Sequence, residues 1–411
     1  MTLDLFIFLP IILDIISVFK GSNASLEMTG GRAAEQGQKG RFLDCALRAP
    51  LEMTGSAAPS CHLDQAQPSC HLDQAKRVER SAMCLYTHNC NGIARFCLSL
   101  YPQNVSDNMD FNPNIYKDPR HEDEGKYPKL GLVLEGGGMR GLFTAGVLDT
   151  LMDHYVHPDT ICATSAGATF GINLPSGQRG RVIRYSLRLA GDPRYISLQS
   201  LLRTGNVVNT DFAYRELPEE LDIFNYSAFV GSGVDFFACV TNTRSGKAEY
   251  LKVSDARTQI DIIRASASLP FLSRKVVIDG EPYLDGGITD NIPLDKCIAE
   301  GCDRIVVVLT RPKGFIMSEN LYLLSKLLYP HDKNLQQAFK HRNERYNERL
   351  KQIERLEEEG RIFVIRPSEA VAVSRLEQNP EKIQEAYDLG CRDALALWPS
   401  LRNYLQSQGN R

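Results

Sequence analysis

From about residue 130 onward, short apolar runs alternate with stretches in which apolar and polar residues recur at helical spacing. Residues 131–134 and 160–163 are apolar runs that predict buried strands, and residues 142–152 predict a helix with an apolar face. Further strands are predicted at 234–240, 248–253, 276–278, 282–284, 304–310 and 362–367, and further helices at 260–267, 335–360 and 381–397.

The first 108 residues lack a sustained helix or strand period. Six of the eleven cysteines lie there, at positions 45, 61, 70, 84, 90 and 97. Two short segments are directly repeated, 26–30 at 51–55 and 60–66 at 69–75. The Cys-His pairs of the second repeat lack CxxC spacing, so a zinc site is not favoured. A disulfide module is not favoured either, because there is no good export signal. We predict that residues 1–108 are a disordered or spurious extension of the reading frame, followed by a polar leader at 109–128.

The opening apolar run, residues 5–19, does not favour a membrane anchor or a signal, although either stays open as the lesser alternative. It is shorter than a spanning helix, contains Pro10 and Asp14, and lacks the basic start of a secretory signal. The formal net charge of -3 gives no support for a nucleic-acid partner. We therefore expect a cytoplasmic protein without a nucleic-acid partner, with peripheral membrane contact as an alternative. The sequence does not indicate an oligomeric state.

A glycine-rich loop, Gly136-Gly137-Gly138-Met139-Arg140-Gly141, follows the first strand and opens the first helix. Amides at a helix N-terminus attract negative charge, and Arg140 adds a positive charge. The loop is therefore a structural turn, a phosphate site or an oxyanion hole. A dinucleotide site needs a carboxylate about 20 residues on. Ser165 stands in that region instead, among small residues.

Ser165 lies in the sequence Ala163-Thr164-Ser165-Ala166-Gly167, between a predicted strand and a predicted helix. This context is typical of a nucleophile elbow, in which a sharp turn exposes the serine hydroxyl. The first position of the usual GxSxG pattern is here an alanine, which adds one methyl group. The alternative is a serine that caps a buried helix.

Asp285 follows the second strand of a predicted hairpin and precedes Gly286 and Gly287, which let the chain turn away. Its carboxylate is a candidate base for Ser165, and an Asx turn or helix cap is the alternative. Asp290 has the stronger claim to a capping role, beside a helix predicted to open near residues 291–293. A Ser…Asp…His triad needs a histidine after the acid, but only His331 and His341 follow, in a charged stretch. The sequence thus favours a Ser–Asp dyad.

Together these motifs resemble the patatin-like phospholipase family over residues 129–310: GGGMRG at 136–141, the serine of ATSAGA at 163–168 and DGG at 285–287. Departures from the family pattern are Ala163 for the first glycine and Glu135 where family members often have aspartate. Neither removes a reacting group. Residues 311–411 resemble the C-terminal extension of a bacterial branch of the family, and we expect this extension to be helical and to pack on the core.

The resemblance implies a three-layer α/β fold with a mostly parallel central sheet flanked by helices. It also implies hydrolysis of fatty acyl esters, with lipid or another acyl ester as substrate and with no metal or cofactor. It also implies a nucleophile, Ser165, and a general base, Asp285. The implied oxyanion hole comprises Gly136, Gly137, Gly138, Met139, Arg140 and Gly141, the implied nucleophile elbow Ala163, Thr164, Ala166 and Gly167, and the implied acid loop Gly286 and Gly287. Two alternatives remain: a lysophospholipase or general carboxylesterase, and a lipid-binding protein with a catalytically weak site.

Two further features are each open to two interpretations. Arginines at 179, 181, 184 and 188 either meet a lipid phosphate at the rim of the site or lie on a solvated helix face. The mixed charge of residues 335–360 indicates a solvated helix face or a basic membrane-docking face. Five cysteines without a pattern are predicted to be small buried hydrophobes in a reducing compartment: Cys162, Cys239, Cys297, Cys302 and Cys391.

Overall fold

A computed structural model of the chain describes residues 128–407. The predictions for residues 1–108, with their repeats and their opening apolar run, lie outside the described residues. So does nearly all of the polar leader at 109–128.

The described residues form one sheet of eight strands. The strands are β1 (Leu130–Leu134), β2 (Thr160–Thr164), β3 (Asp235–Asn242), β4 (Lys247–Val253), β5 (Val276–Ile278), β6 (Glu281–Asp285), β7 (Arg304–Val308) and β8 (Ile362–Ile365). Strands β3, β2, β1, β7 and β8 are parallel neighbours in that order, whereas β4, β5 and β6 join by antiparallel pairing. The prediction of a mostly parallel central sheet is confirmed.

Helices connect and flank the strands. They are α1 (Gly141–Asp153), α2 (Ala166–Gly171), α3 (Arg181–Arg188), α4 (Leu198–Thr204), α5 (Tyr226–Gly231), α6 (Ile260–Ser266), α7 (Leu294–Ala299), α8 (Tyr322–Leu328), α9 (Lys333–Lys340), α10 (Arg342–Glu358) and α11 (Pro380–Gln406). A π-helical segment runs over Phe212–Leu221, and short 3₁₀ turns lie at Gly138–Arg140 and Gly286–Ile288.

The prediction of one helix over residues 335–360 is wrong. The chain forms two helices, α9 and α10, separated by His341 at φ -101° and ψ 8°. The two halves pack on different partners: Leu335 and Phe339 join a cluster that contains Leu284, whereas Ile353 joins the core on one face of the central sheet. A single straight helix would not direct its apolar residues toward both clusters. The last helix also extends nine residues beyond its predicted end at 397.

Both faces of the central sheet are buried. Along β1, Leu132 and Leu134 pack in one apolar cluster and Val133 in another, as the period of two in a strand requires. On the first face, helices α1 and α11 approach closely at two glycines. A Cβ atom at Gly146 would overlap the carbonyl oxygen of Tyr387, and one at Gly390 would overlap that of Phe143.

Strand β3 pairs with both β2 and β6, which are far apart in sequence, and places the end of one next to the end of the other. Strand β4 occupies one edge of β3 along residues 236–242. Strands β2 and β6 therefore share the other edge, where Thr164 pairs with Cys239 and Asp285 with Val240. Because β2 is parallel and β6 antiparallel to β3, their carboxyl ends meet. The residues that follow β2 and end β6 are thereby placed side by side.

None of the helices within residues 128–407 combines the length and the apolar character needed to cross a bilayer.

Candidate active site

Ser165 lies at the tight turn between β2 and α2, with backbone angles φ 55° and ψ -121°. Few residues with a side chain adopt such angles, and they cost free energy wherever they occur. The backbone amide of Ser165 donates to Ser266 Oγ at 2.9 Å, and that hydroxyl donates to the Cys239 carbonyl at 2.7 Å. The following Gly167 leaves no room for a side chain, since a Cβ atom would lie 2.7 Å from the Leu134 carbonyl oxygen. The turn therefore has the geometry of a nucleophile elbow.

Asp285 faces the serine directly. Ser165 Oγ donates to Asp285 Oδ2 at 2.6 Å, and both side chains are buried. The other carboxylate oxygen accepts the Gly287 amide at 2.7 Å, which fixes the plane of the carboxylate. The chain turns away at Gly286, where a Cβ atom would overlap the Cys239 carbonyl oxygen. The arrangement suits transfer of a proton from the hydroxyl to the carboxylate.

Burial raises the pKa of Asp285 above its ordinary value. The Ser165 hydroxyl, the Gly287 amide and the cationic side chains of Arg342 and Arg375 oppose that rise. A carboxylate with a raised pKa is a stronger base than an exposed one, which is the direction that a general base for a serine hydroxyl requires.

No histidine in residues 128–407 bonds to either group. His341 lies on the surface with Nδ1 3.0 Å from Glu344 Oε2, and His154 stacks on the ring of Trp398. Within the described chain, the serine and the aspartate therefore face each other as a pair.

The glycine loop leaves two amides available. Gly136 donates to the Asn291 carbonyl, Met139 to the Arg375 carbonyl and Arg140 to the Gly137 carbonyl. The Gly141 amide is directed at the carbonyls of residues 138 and 139 within the turn. The amides of Gly137 and Gly138 have no acceptor among the described residues. These two N–H groups are the donors of the loop that are free to bind an oxyanion.

Arg140 is largely buried, and its Nε has no hydrogen-bond partner in the described chain. Burial and the nearby Arg311 lower its pKa to about 10, while Glu135 opposes this effect. The guanidinium therefore remains charged at neutral pH. Its influence on the loop is electrostatic.

Glu135 ties the glycine loop to the rest of the protein. Its Oε1 accepts from Tyr346 at 2.6 Å and from Asn291 at 3.1 Å, and its Oε2 accepts the Thr310 amide at 2.5 Å. Burial raises the pKa of this carboxyl, and its donors oppose the rise. Asn291 also donates to the Gly136 carbonyl at 2.9 Å. Glu135 and Asn291 together hold the loop between β1 and the turn after β6.

Residues of the C-terminal segment contact both loops. Arg342 Nε donates to the Gly287 carbonyl at 2.9 Å, and Arg345 donates to the Ile288 and Thr289 carbonyls at 3.0 and 3.2 Å. The carbonyl of Arg375 accepts the Met139 amide at 3.2 Å, as noted above. The C-terminal extension thus contributes hydrogen bonds to the glycine loop and to the acid loop.

Asp290 does not cap a helix. Its Oδ2 accepts from Tyr250 at 2.6 Å, and its Oδ1 accepts the Ile292 amide at 3.2 Å, within a turn. Helix α7 begins later, at Leu294, with Pro293 as its N-cap. Of the two aspartates, Asp285 and Asp290, it is Asp285 whose carboxylate contacts the serine.

A deep apolar cavity opens beside Ser165. It contains about 980 Å³ of empty space, its open mouth included. Gly138 and Arg375 line it near the serine, and the remainder of the wall is largely apolar and aromatic. A cavity of this character suits a hydrocarbon chain.

The arginines between residues 173 and 191 bind protein groups. Arg181 is buried, donates to the Asp222 carbonyl and to Asn173 Oδ1, and lines the cavity. Arg179 and Arg184 are more exposed and form ion pairs with Asp153 and Asp222. Neither predicted interpretation describes Arg181, which is part of the cavity wall.

The cysteine prediction is partly confirmed. Cys162, Cys239 and Cys297 are buried, whereas Cys302 and Cys391 are half-buried, and all five are free thiols.

Several supporting residues were not anticipated from sequence: Ser266, Asn291, Tyr346 and Arg375. Asn291 follows the acid loop closely, so its proximity to Asp285 was a usable signal. Ser266, Tyr346 and Arg375 are brought in by elements distant in sequence. No local pattern marks them.

Comparison with known proteins gives two domain matches. Residues 132–298 match the family model described as patatin-like phospholipase, and residues 332–406 match a domain of unknown function, DUF6363. The glycine loop, the serine and the aspartate all lie within the first match. The second match contains Arg342, Tyr346 and Arg375, which contact the loops of the first.

The proteins similar to this chain include two relatives and one solved structure. YjjU of Escherichia coli is 29% identical over 275 residues, which are 64% of this chain and 75% of YjjU. The lysophospholipase NTE1 of Scheffersomyces stipitis is 28% identical over 185 residues, which are 44% of this chain and only 11% of that protein. The crystal structure of VipD from Legionella pneumophila matches with 15% identity and a TM-score of 0.34, over 66% of this chain and 67% of VipD.

Proposed function

We propose that this chain, whose residues 132–298 form a patatin-like phospholipase domain, cleaves fatty acyl esters with Ser165 as nucleophile and Asp285 as general base. The family supports lipid acyl hydrolase activity. The observation that carries the finer proposal is the 2.6 Å hydrogen bond from Ser165 Oγ to Asp285 Oδ2 at the foot of an apolar cavity.

In the first half of the reaction, Ser165 Oγ attacks the carbonyl carbon of the ester while its proton passes to Asp285 Oδ2. The carbonyl oxygen becomes an oxyanion and accepts hydrogen bonds from the amides of Gly137 and Gly138. Asp285 then returns the proton to the oxygen of the leaving alcohol, and an acyl-enzyme remains.

In the second half, a water molecule gives its proton to Asp285 and attacks the acyl carbon. The same two amides stabilise the second oxyanion. Collapse of this intermediate releases the fatty acid and returns the proton to Ser165 Oγ. The apolar cavity would hold the acyl chain throughout both steps.

The similarity to an NTE1 lysophospholipase favours a second candidate, a lysophospholipase with little activity on two-chain lipids. The matched region is about a tenth of that relative. The name of the relative therefore serves only to choose which class of compound to test. A lipid-binding protein with a weak site is the non-enzyme alternative.

Covalent labelling tests the proposal most directly. A fluorophosphonate probe should label the wild-type chain at Ser165 and should fail to label Ser165→Ala. Asp285→Asn should keep the fold but react with the probe at least about 10²-fold more slowly, because the base is lost. Labelling of Ser165→Ala at the wild-type rate would refute the assignment of the nucleophile.

A substrate panel separates the candidates. Fatty acid release from two-chain phospholipids, lysophospholipids and p-nitrophenyl esters is measured for the wild type and for Asp285→Asn. Preference for lysophospholipids would support the second candidate. A chain that neither reacts with the probe nor releases fatty acid from the panel would favour the lipid-binding protein.

A further inference from the structure

Two short helices expose leucines at one-turn spacing. On α4, Leu198 and Leu202 are both exposed, and Leu202 keeps 80% of its surface open to solvent. On α8, Leu323 and Leu327 repeat the pattern, with Leu327 61% exposed. Residues four apart lie on the same face of a helix, so each pair forms an apolar stripe. Paired stripes differ from the scattered exposed apolar residues that are normal on protein surfaces.

One segment of chain contacts the ends of both helices. Just after α4, the Val207 amide donates to the Leu272 carbonyl at 2.8 Å. Just after α8, the Tyr329 hydroxyl accepts the Phe271 amide at 2.9 Å, and the two rings stack. The C-terminal ends of α4 and α8 therefore both lie beside this segment. We call the surface made of residues 198–205, 269–275 and 322–328 the leucine face.

The leucine face carries positive charge only. Its sequence contains no aspartate and no glutamate, and its basic residues are Arg203, Arg274, Lys275 and Lys326. Lys275 forms an ion pair with Asp332, just outside the face. The other three are exposed and have no ion pair among the described residues. The face therefore combines apolar stripes with uncompensated cations.

The same face borders the candidate active site. Leu269 lines the cavity that contains Ser165 and, like Leu201 of α4, packs against the buried cluster that contains Ile196. Leu321, directly before α8, packs against Leu284 of β6, the neighbour of Asp285. A substrate that arrived at the leucine face would be close to the cavity.

We propose that the leucine face docks on a bilayer surface that contains anionic lipid. This inference rests on the proposed function, since long-chain lipid substrates are held in bilayers or other aggregates. Leucines that enter the boundary between head groups and acyl chains gain from burial, and arginine or lysine beside them gain from the negative surface potential. Both contributions are present on this face, and no carboxylate within it opposes them.

Vesicle flotation of the full chain tests the proposal. The chain should bind vesicles of phosphatidylcholine with phosphatidylglycerol more tightly than vesicles of phosphatidylcholine alone, and added salt should weaken binding. The double variant Leu202→Ser with Leu327→Ser should lower the partition coefficient at least about tenfold. Leu395→Ser is the matched control, because Leu395 is 59% exposed on α11 and lies outside the leucine face. It should bind like the wild type.

A soluble p-nitrophenyl ester separates docking from catalysis. The double variant should hydrolyse this ester at the wild-type rate, since the substituted leucines do not line the cavity. Equal vesicle binding by the double variant and the wild type, or no binding by either, would overturn the docking proposal. The proposal would also be overturned if the wild-type chain formed a dimer that the two substitutions dissociate, while neither the wild type nor the double variant bound vesicles. If the wild-type chain binds vesicles but hydrolyses none of the esters, the proposed hydrolase function is refuted and the docking proposal is not.

Discussion

Ser165, the proposed nucleophile, has a strained backbone. At φ 55° and ψ -121°, a residue with a side chain costs about 1–3 kcal/mol, whereas glycine adopts positive φ freely. Ser165→Gly and Ser165→Ala should both abolish ester hydrolysis. The glycine variant should be more stable than the alanine variant by about 1 kcal/mol, after the larger chain entropy of unfolded glycine is subtracted.

Urea unfolding of the two variants measures this difference, and each is the control of the other because both lack the hydroxyl. Equal stability, or a more stable alanine variant, would show that the turn is relaxed rather than strained.

The pH dependence of hydrolysis should follow the protonation of Asp285. Protonated Asp285 cannot accept the serine proton, so kcat/KM should fall as the pH drops through the pKa of this residue. Burial raises that pKa and the Arg375 cation lowers it. Arg375→Met removes the cation, raises the pKa further and should move the acid limb of the profile to higher pH.

Arg375→Lys keeps the charge and should leave the acid limb near its wild-type position. Profiles of kcat/KM against pH for the three proteins give the measurement. An equal displacement in the methionine and lysine variants would assign the effect to altered packing and not to charge.

At the scale of elements, the close packing of α1 against α11 depends on two glycines, Gly146 and Gly390, whose missing side chains let the backbones approach. A Cβ atom at Gly390 would overlap the carbonyl oxygen of Phe143, a backbone atom that cannot rotate away. Gly390→Ala should therefore lower the free energy of unfolding by about 1–3 kcal/mol, although alanine is the better helix former. Thermal and urea unfolding provide the measurement.

Gly231→Ala is the matched control, because Gly231 is also a helical glycine, the last residue of α5, but has no atom within 4 Å of the added Cβ position. This variant should be neutral or slightly stabilised. A Gly390→Ala variant as stable as the control would mean that the two helices can separate without cost.

Elements with a strong local pattern were predictable from sequence, and those shaped by distant partners were not. The strand, turn and helix around Ser165 follow from an apolar run beside small residues, and the structure matches within two residues at either end. The break at His341 depends on the apolar clusters against which α9 and α10 pack. The helical period of the sequence does not reveal these partners. Tyr346 and Arg375 reach the site across more than 200 residues of chain.

At the scale of the whole molecule, the central sheet explains how the candidate pair forms. Ser165 and Asp285 are 120 residues apart in sequence, and the shared edge of β3 joins the ends of β2 and β6. The C-terminal extension then closes the arrangement from outside the family domain, through its bonds to both loops. The site is therefore a product of the complete described chain, and its cavity should set the choice of substrate.

The cavity gives the last prediction. Ala213 lies on the π-helical segment Phe212–Leu221, lines the cavity and is only half-buried, so a larger side chain there would occupy cavity space with little change to the core. Ala213→Phe should lower kcat/KM for long-chain p-nitrophenyl esters at least about tenfold, since one lost buried methylene costs about 0.8 kcal/mol and several would be displaced. The acetyl ester should be hydrolysed at the wild-type rate because it does not reach the added ring. The ratio of the two rates in one preparation cancels differences in folded fraction. An equal fall for both esters would mean that Ala213 borders the reacting carbonyl, and an unchanged ratio would mean that the acyl chain lies elsewhere.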